Sequence, residues 1–236
     1  MMNGHSPMQE DKTQSHDPKP QPRREREREA HRREILTAAE RVFVAKGYEA
    51  ATVEEIAREA EFATGTLYNF FSGKEEMFLA VADHILDIMI ERFEREVAPW
   101  QDQPREAVTR YVFLRLDEIR RHEAFMHVFH PIHLQNRNGC QALPSEHEKL
   151  TAHFARVHAV FAEGIRQGVL HPEPSPGDMA GMVEGALRFL YHSWKREGRT
   201  TAPSQQAEYL KNSLLPLLWA HPATSTAPAK ERAQTK

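Results

Sequence analysis

Cysteine is nearly absent from this chain, which excludes a fold held together by internal disulfide bonds. The 236 residues contain one cysteine, Cys140. Chains of this kind are typical of reducing compartments. The first residues also lack an apolar core, so we expect no signal peptide and a cytoplasmic location.

Long apolar runs are missing as well. Two apolar stretches, HILDIMI and LLPLLWA, are interrupted by Asp87 and Pro216. A helix that spans a bilayer needs roughly 20 apolar residues in succession, so we expect no membrane partner. With 40% hydrophobic residues and a formal charge of −3, the composition favours one sizeable core, or a small domain beside a larger one.

The signature motifs of common enzymes are also missing. The chain has no GxSxG, no HExxH and no Gly-rich dinucleotide loop. SGKE at 72–75 resembles the end of a phosphate-binding loop, but that loop needs Gly in place of Tyr68 and Ser or Thr in place of Glu75. We therefore expect neither an enzyme nor a cofactor, although an enzyme is an alternative that a measurement of turnover would test.

What is present is apolar periodicity at helical spacing, which predicts an all-α fold. One face of the first helix carries a regular apolar set: Ile35, Leu36, Ala39, Val42 and Phe43. Gly47 is typical of a helix C-terminus. Thr52 and Glu55 form a predicted capping box for a second helix that ends near Ala60.

Further helices are predicted along the rest of the chain. A third helix covers TGTLYNFF at 64–71, and Ser72 with Glu75 forms a second predicted capping box for a helix that reaches Val97. The remaining predicted helices are Pro104–His122, Glu123–Leu134, Ser145–Val169, Pro176–Arg196 and Pro203–Ala220. No segment shows the sustained alternation of a strand.

The second and third helices, joined by a three-residue turn, form a predicted helix-turn-helix. Leu67, Phe70 and Phe71 are spaced to pack inward. Thr66, Tyr68 and Asn69 are then left on the outer side, where polar side chains can contact bases and phosphates. Gly65 would let the backbone approach a DNA strand closely.

From His31 to Leu86 the chain resembles the tetracycline-repressor (TetR) family of bacterial regulators. The resemblance rests on REILTAAERVFVAKGYEAATVEEIAREAEFATGTLYNFFSGKEEMF. It implies an all-helical homodimer with an N-terminal helix-turn-helix domain and a C-terminal ligand-binding and dimerisation domain. It also implies binding to a palindromic operator in double-stranded DNA, and release of that DNA by a small-molecule effector.

The resemblance also implies roles for individual residues. Thr52 and Lys74 resemble phosphate contacts, Thr66 and Asn69 resemble base-reading positions, and Tyr68 resembles a tyrosine that meets phosphate or a thymine methyl group. The chain departs from the family where Glu61 replaces a turn glycine and Ala63 replaces a polar cap. Since alanine cannot cap a helix, Thr64 is the expected cap one residue later.

The charge of this predicted DNA-binding module is unexpectedly negative. Between residues 30 and 78 there are six Lys and Arg against nine Asp and Glu. DNA binding would then depend on the Arg-rich segment at 23–33, which is either a solvated arm or an extension of the first helix. A helical interaction protein with a degenerate DNA-binding module therefore stays an alternative.

The predicted domains are a disordered, partly basic arm at 1–29, the DNA-binding domain at 30–78, a helical ligand-binding and dimerisation domain at 79–220, and a disordered tail at 221–236. The resemblance implies that the last two helices form the dimer contact, although an internal core is the alternative. The predicted dimer residues are Gly181, Gly185, Arg188, Leu210, Leu214 and Leu217.

A hydrophobic or aromatic effector is expected, because the candidate pocket residues are mostly apolar. They are Phe93, Trp100, Tyr111, Arg115, Phe125, Met126, Phe129, Phe154 and Trp194, with Glu118 as a further polar candidate. His127, His130 and His133 recur every third residue, but Pro131 should break the helix between them, so we expect no metal site. A metal-sensing regulator, or a redox sensor using Cys140, stays a lesser alternative.

Overall fold

The computed structural model describes residues 23–135, 144–198 and 202–220. In these ranges nine α-helices follow one another: α1 Arg23–Ala50, α2 Val53–Glu59, α3 Thr64–Tyr68, α4 Lys74–Glu96, α5 Pro104–Gln135, α6 Pro144–Arg166, α7 Pro176–Arg196, α8 Pro203–Ser213 and α9 Leu215–Leu218. A 3₁₀ turn, Ala98–Trp100, precedes α5. The described residues contain no strand beyond an isolated bridge between Leu170 and Trp219, which confirms the predicted all-α fold.

The first helix is longer than its apolar stripe. It begins at Arg23, so the predicted disordered arm is wrong for residues 23–29, and the alternative of a helical extension is confirmed. Residues 1–22 of the predicted arm, and the predicted tail at 221–236, lie outside the described residues. Gly47 interrupts the helix with a φ of 76°, a conformation that glycine adopts without steric cost.

The caps of the short helices differ in part from prediction. Thr52 caps α2 as predicted, because the Glu55 N–H donates to Thr52 Oγ1 at 3.3 Å. Thr64 is not a cap but the first residue of α3, and Ala63 stands at the cap position without a side-chain bond. Glu61 adopts a φ of 60° in the turn, a left-handed conformation that favours glycine.

The start of α4 also corrects a predicted contact. Glu76 rather than Glu75 reaches back, since its Oε2 accepts the N–H of Ser72 at 2.6 Å. The cap residue is Gly73, one position after the predicted Ser72. The helix ends at Glu96, next to the predicted end.

The fifth helix is continuous, where two helices were predicted. It runs through the predicted junction at His122 and through Pro131 to Gln135, so the predicted break at Pro131 is wrong. Phe125 and Phe129 lie one turn apart and are both buried, so helical burial continues past the junction. The predicted last helix is instead divided into α8 and α9 near Pro216, whose nitrogen cannot donate a helical hydrogen bond.

Two apolar cores organise the molecule. The first joins α1–α4 and also contains Phe125 and Phe129 of α5. The second packs α5, α6 and α7 against the end of α4 and against α8 and α9. Helix α5 therefore contributes side chains to both cores. No helix in the described ranges is both long and apolar enough to cross a membrane.

Candidate nucleic-acid interface and ligand cavity

Helix α3 presents a polar surface next to its buried side. Leu67 and Phe71 are buried, whereas Gly65, Tyr68 and Asn69 are exposed, and Tyr68 keeps 53% of its surface accessible. Thr64 and Thr66 are partly exposed, and Thr52 at the start of α2 is exposed. The predicted DNA-contacting residues of α3 therefore remain available to a partner.

Glycine at position 65 leaves that surface open. Apart from residue 65 itself, its two chain neighbours and the adjacent backbone of α3, no heavy atom of the described residues lies within 4 Å of the position that a Cβ of residue 65 would occupy. The space has no internal packing role, so a close approach by another molecule is sterically possible there.

Lys74 has an internal role that sequence reasoning missed. Its ammonium group donates to the backbone carbonyls of Tyr48 at 2.9 Å and Glu49 at 3.1 Å. It also lies 4.6 Å from the centre of the Tyr48 ring. Two of its three donors are therefore bound to the chain, and its contact with DNA phosphate stays a prediction.

The arginines at the start of α1 lie beside the end of the helix-turn-helix. The guanidinium of Arg28 is 5.5 Å from the centre of the Phe70 ring, and that of Arg32 is 5.4 Å from the centre of the Phe71 ring. These are cation–π distances. Positions 32 and 28 continue the apolar stripe of α1 one and two turns before Leu36, a signal that could have placed them on this face.

A cavity of about 700 Å³ lies among α4, α5, α6 and α7. Five of the predicted pocket residues line it: Tyr111, Arg115, Met126, Phe129 and Phe154. Further apolar lining comes from Ile85, Leu86, Met89, Ile119 and Leu150. The exposed side chains of Leu150 and Phe154 on α6 place an opening there.

Four predicted pocket residues do not line this cavity. Phe93 and Trp194 are buried in the second core, and Phe125 is buried in the first. Trp100 packs under Arg110, whose guanidinium lies 4.1 Å from the centre of its ring. Periodicity identified these side chains as apolar and inward-facing, but it does not distinguish a core from the wall of a cavity.

A buried hydrogen-bonded cluster forms one side of the cavity. Arg115 donates from Nε at 2.6 Å and from Nη2 at 2.9 Å to the two carboxylate oxygens of Glu184. It also donates from Nη1 to Glu118 Oε2, while Tyr111 donates to Glu184 at 2.9 Å. Sequence reasoning missed Glu184, although it is the one acid between Asp178 and Arg196.

The environments of the two carboxylates in this cluster shift their pKa values in opposite directions. Burial opposes ionisation of Glu184, but the hydrogen bonds from Arg115 and Tyr111 outweigh it and lower the pKa of its carboxyl group. Burial raises the pKa of Glu118, and the nearby Arg115 only partly offsets this. Glu118 Oε1 is buried and has no hydrogen-bond partner in the described residues.

His153 contributes a second incompletely paired group to the cavity wall. It is 4% exposed, and burial lowers the pKa of its imidazole to about 4. The ring is therefore neutral at pH 7, with one donor and one acceptor nitrogen. Its Nδ1 is buried, and none of the described residues bonds to it.

Two contacts connect the cavity to the N-terminal helices. His122 lines the cavity, and its Nδ1 lies 2.9 Å from Glu40 Oε1 on α1. Phe129 also lines the cavity, and its ring centre is 5.5 Å from that of Phe78 on α4. A change in the cavity wall thus has direct routes to α1 and α4.

The predicted dimer residues divide into exposed and buried sets. Gly181, Gly185 and Leu217 are exposed, with Leu217 at 72%. Leu210 is fully buried in the second core, so its assignment to an interface is wrong, and Leu214 packs against the same core. Arg188 lines the cavity and donates to Glu123 at 3.4 Å.

The apolar side chains that α7 exposes were not the ones assigned to the interface. Met182 and Phe189 are 64% and 66% exposed, whereas Met179, Val183 and Trp194 are buried. Gly185 lies between Met182 and Phe189 on the same side of the helix. We call Met182, Gly185 and Phe189 the α7 face.

The histidine segment gives no evidence for a metal site. No group of His, Cys, Asp and Glu in the described part of the chain could hold a metal ion. His130, His133 and Cys140 lie outside the residues whose side chains are described, so the predictions made for them stay untested.

Comparison with known proteins identifies the N-terminal domain. Residues 35–81 match the family model for bacterial regulatory proteins of the tetR family. The uncharacterized HTH-type transcriptional regulator YuxN of Bacillus subtilis is 24% identical over 182 residues, which are 76% of this chain. The alignment spans only 60% of the length of YuxN.

Solved structures show the same fold over most of the chain. A TetR/AcrR-family regulator of Thermobifida fusca aligns with a TM-score of 0.59 and 21% identity, over 79% of this chain and 97% of its own. The regulator FadR of Bacillus subtilis, solved with stearoyl-CoA, aligns with a TM-score of 0.58 and 21% identity, over 80% of this chain and 97% of its own.

Proposed function

Residues 35–81 of this chain belong to the tetR family of bacterial regulatory proteins, and we propose that the protein is a transcriptional repressor released from DNA by a small apolar ligand. The observation that carries the proposal is the pairing of an exposed polar α3 with a separate apolar cavity. The first provides groups that can contact DNA, and the second can enclose a ligand.

DNA binding is assigned to the exposed residues of α3 together with the start of α2. Thr66, Tyr68 and Asn69 supply hydroxyl and amide groups for bases, and Thr52 supplies a hydroxyl group for a phosphate. Arg28 and Arg32 lie beside α3 and offset part of the negative charge of the module. The same negative charge favours the second candidate, a helical interaction protein with a degenerate DNA-binding module.

A dimer follows from the length of α3, because a helix of five residues contacts too few base pairs to select one site in a genome. Two copies on a palindromic operator would place their α3 helices about 34–36 Å apart. The α7 face, with its exposed Met182 and Phe189, and Leu217 on α9 supply apolar surface for the contact between copies.

Release is proposed to be a population shift. A ligand that prefers one arrangement of α5 changes the contact between His122 and Glu40 and the packing of Phe129 on Phe78, and so moves α1 and α4. The structure of FadR with stearoyl-CoA supports a ligand with a long apolar part.

Selection of genomic DNA fragments by the purified protein, at a stated near-physiological salt concentration, tests this function. Enrichment of one palindrome is the expected result. Tyr68→Ala should lose that enrichment, while Tyr209→Ala on α8, which replaces an equally exposed tyrosine, should keep it. Equal, weak and salt-dependent binding of all fragments would favour the interaction protein instead.

A further inference from the structure

The charged groups around the cavity are not balanced. Four acids line it, Asp83, Glu118, Glu123 and Glu184, against two arginines, Arg115 and Arg188. Asp83 is bound by Lys149 at 2.9 Å, and Glu123 is approached by Arg188 and His192. The remaining imbalance therefore falls on the pair of Glu118 and Glu184.

Among the described residues, Arg115 is the only cation that is hydrogen-bonded to this pair, while Arg92 and Arg188 act on Glu118 and Glu184 without a hydrogen bond to them. Arg115 binds Glu184 through two nitrogens and Glu118 through the third, so all three of its guanidinium nitrogens are already bonded to carboxylates. Two carboxylates that share one hydrogen-bonded guanidinium leave one buried negative charge without a hydrogen-bonded cation of its own. A buried unpaired charge is costly, and a further positive charge would remove that cost.

The unbonded carboxylate oxygen of Glu118 also favours a positively charged hydrogen-bond donor. Glu118 is 3% exposed, and its Oε1 has no partner among the described residues. The last torsion of a glutamate side chain is soft, so this oxygen can turn toward a donor that enters the cavity. An ionised carboxylate can only accept hydrogen bonds, which means that the missing partner is a donor.

We propose that the cavity binds a lipophilic amine in its protonated form, with the ammonium group at Glu118 and the apolar chain along Leu86, Met89, Ile119 and Met126. The proposal rests on the ligand-binding role proposed above and specifies the chemistry of the ligand. An ammonium group brings both the missing charge and up to three N–H donors. A neutral ligand of the same shape brings no charge, and an anion would add to the negative charge of the two carboxylates.

The pKa of Glu118 supports the same assignment. Burial raises the pKa of this carboxyl group despite the adjacent Arg115, so the guanidinium alone does not stabilise the ionised form fully. His153, neutral at pH 7 because burial lowers its pKa to about 4, adds no positive charge to the wall. The carboxylate is therefore the group that a ligand cation would stabilise.

Three probes with one apolar chain test the proposal by titration calorimetry on the full chain at pH 7. Decylamine, decan-1-ol and decanoate share their ten-carbon skeleton and differ in head-group charge, and each is used below its micelle concentration. We expect decylamine to bind at least about tenfold more tightly than decanol, the size of one charged hydrogen bond, with decanoate weakest. Equal binding of all three, tighter binding of decanoate, or no binding of decylamine would overturn the proposal.

A matched pair of variants locates the ammonium group. Glu118→Gln keeps the shape of the side chain and removes its charge, so the preference for decylamine over decanol should fall about tenfold or more. Glu208→Gln, at an exposed site on α8 and outside the cavity lining, should leave the preference unchanged. An unchanged preference in Glu118→Gln would refute the assigned site, and the comparison of probes on the unaltered protein does not depend on how this variant folds.

These titrations are separate from the test of the regulator. They contain no DNA, so loss of amine selectivity refutes the ligand class while the operator selection still stands. Conversely, selective amine binding that leaves operator affinity unchanged would support this inference and contradict ligand-controlled release.

Discussion

Glu40 on α1 and His122 on α5 are joined side chain to side chain, with 2.9 Å between Oε1 and Nδ1. Both side chains are mostly buried, at 20% and 13% exposed. His122 also lines the cavity, whereas Glu40 belongs to the helix that carries the N-terminal core. The contact therefore joins the two parts of the molecule whose coupling a regulator requires.

A double-mutant cycle on this pair should show a coupling free energy of about 1 kcal/mol, because both partners are largely removed from water. The measurement is chemical denaturation of Glu40→Gln, His122→Ala and the double variant. A coupling within error of zero would show that the hydrogen bond contributes nothing to stability. Glu49, exposed on the same helix, serves as the control partner for His122.

Replacing Arg28 and Arg32 together by alanine should weaken DNA binding at every sequence and lower the salt dependence. Each lost phosphate contact reduces the slope of log K against log salt by about one unit. Arg166→Ala on α6, which removes an exposed arginine far along the chain, should change neither quantity. Unchanged affinity and slope in the double variant would exclude the start of α1 from the DNA interface.

Removing residues 1–29 should weaken DNA binding and flatten its salt dependence in the same direction. The deletion now also shortens α1, because the helix begins at Arg23. Thermal unfolding of the truncated chain separates a loss of stability from a loss of charge. Equal affinity and slope before and after truncation would contradict the prediction.

Placing glutamate at both Met182 and Phe189 should convert a dimer to a monomer. Each substitution puts an unpaired charge into the α7 face, and burying such charges would cost several kcal/mol. Light scattering after size-exclusion chromatography measures the mass. Val44→Glu, at an exposed apolar site on α1, is the control that should leave the mass unchanged, and a dimer that persists in the α7 variant would exclude this face.

Acid should destabilise the protein through His153. Its folded pKa of about 4 is below the unfolded value of 6.5, so the unfolded state binds more protons between these two values. The free energy of unfolding therefore falls as pH drops from 6.5 towards 4, by about 2 kcal/mol for this group. The other groups that influence it are Arg115, Glu184, Glu94 and Arg156.

Denaturation at pH 7 and pH 4.5 of the unaltered protein and of His153→Gln isolates this contribution. The variant lacks the titrating imidazole, so it should lose about 2 kcal/mol less over the same pH change. Carboxylates that titrate in this range are common to both proteins and cancel in the difference. Equal losses would mean that His153 has the same pKa folded and unfolded.

The sequence predicted the helices of the DNA-binding domain well because their apolar spacing is regular and their ends carry strong signals. Thr52 and Gly47 each occupy the place that their chemistry favours. The errors were local ones: α5 continues past Pro131 to Gln135, although a proline removes one backbone donor from a helix. Glu76 and Glu75 are adjacent, and only geometry selects between them.

The cavity was predicted less well, because inward-facing residues look alike in sequence. Phe93 and Phe129 are both buried, yet only Phe129 lines the cavity. The contact between Arg115 and Glu184 joins residues that are 69 positions apart, and no local pattern indicates such a pairing. The contacts of Lys74 could not be predicted for the same reason, since its backbone partners lie at the end of α1, about 25 positions earlier in the chain.

Helix α7 contributes residues both to the cavity and to the exposed α7 face. On one side Gly181, Glu184 and Arg188 face the cavity, and on the adjoining side Met182 and Phe189 face outward. Consecutive turns of one rigid helix cannot move independently, so any rotation that follows Glu184 also reorients Met182 two residues away. The rigid helix thus fixes the orientation of the cavity wall, and of a ligand bound there, relative to the α7 face and a partner bound to it.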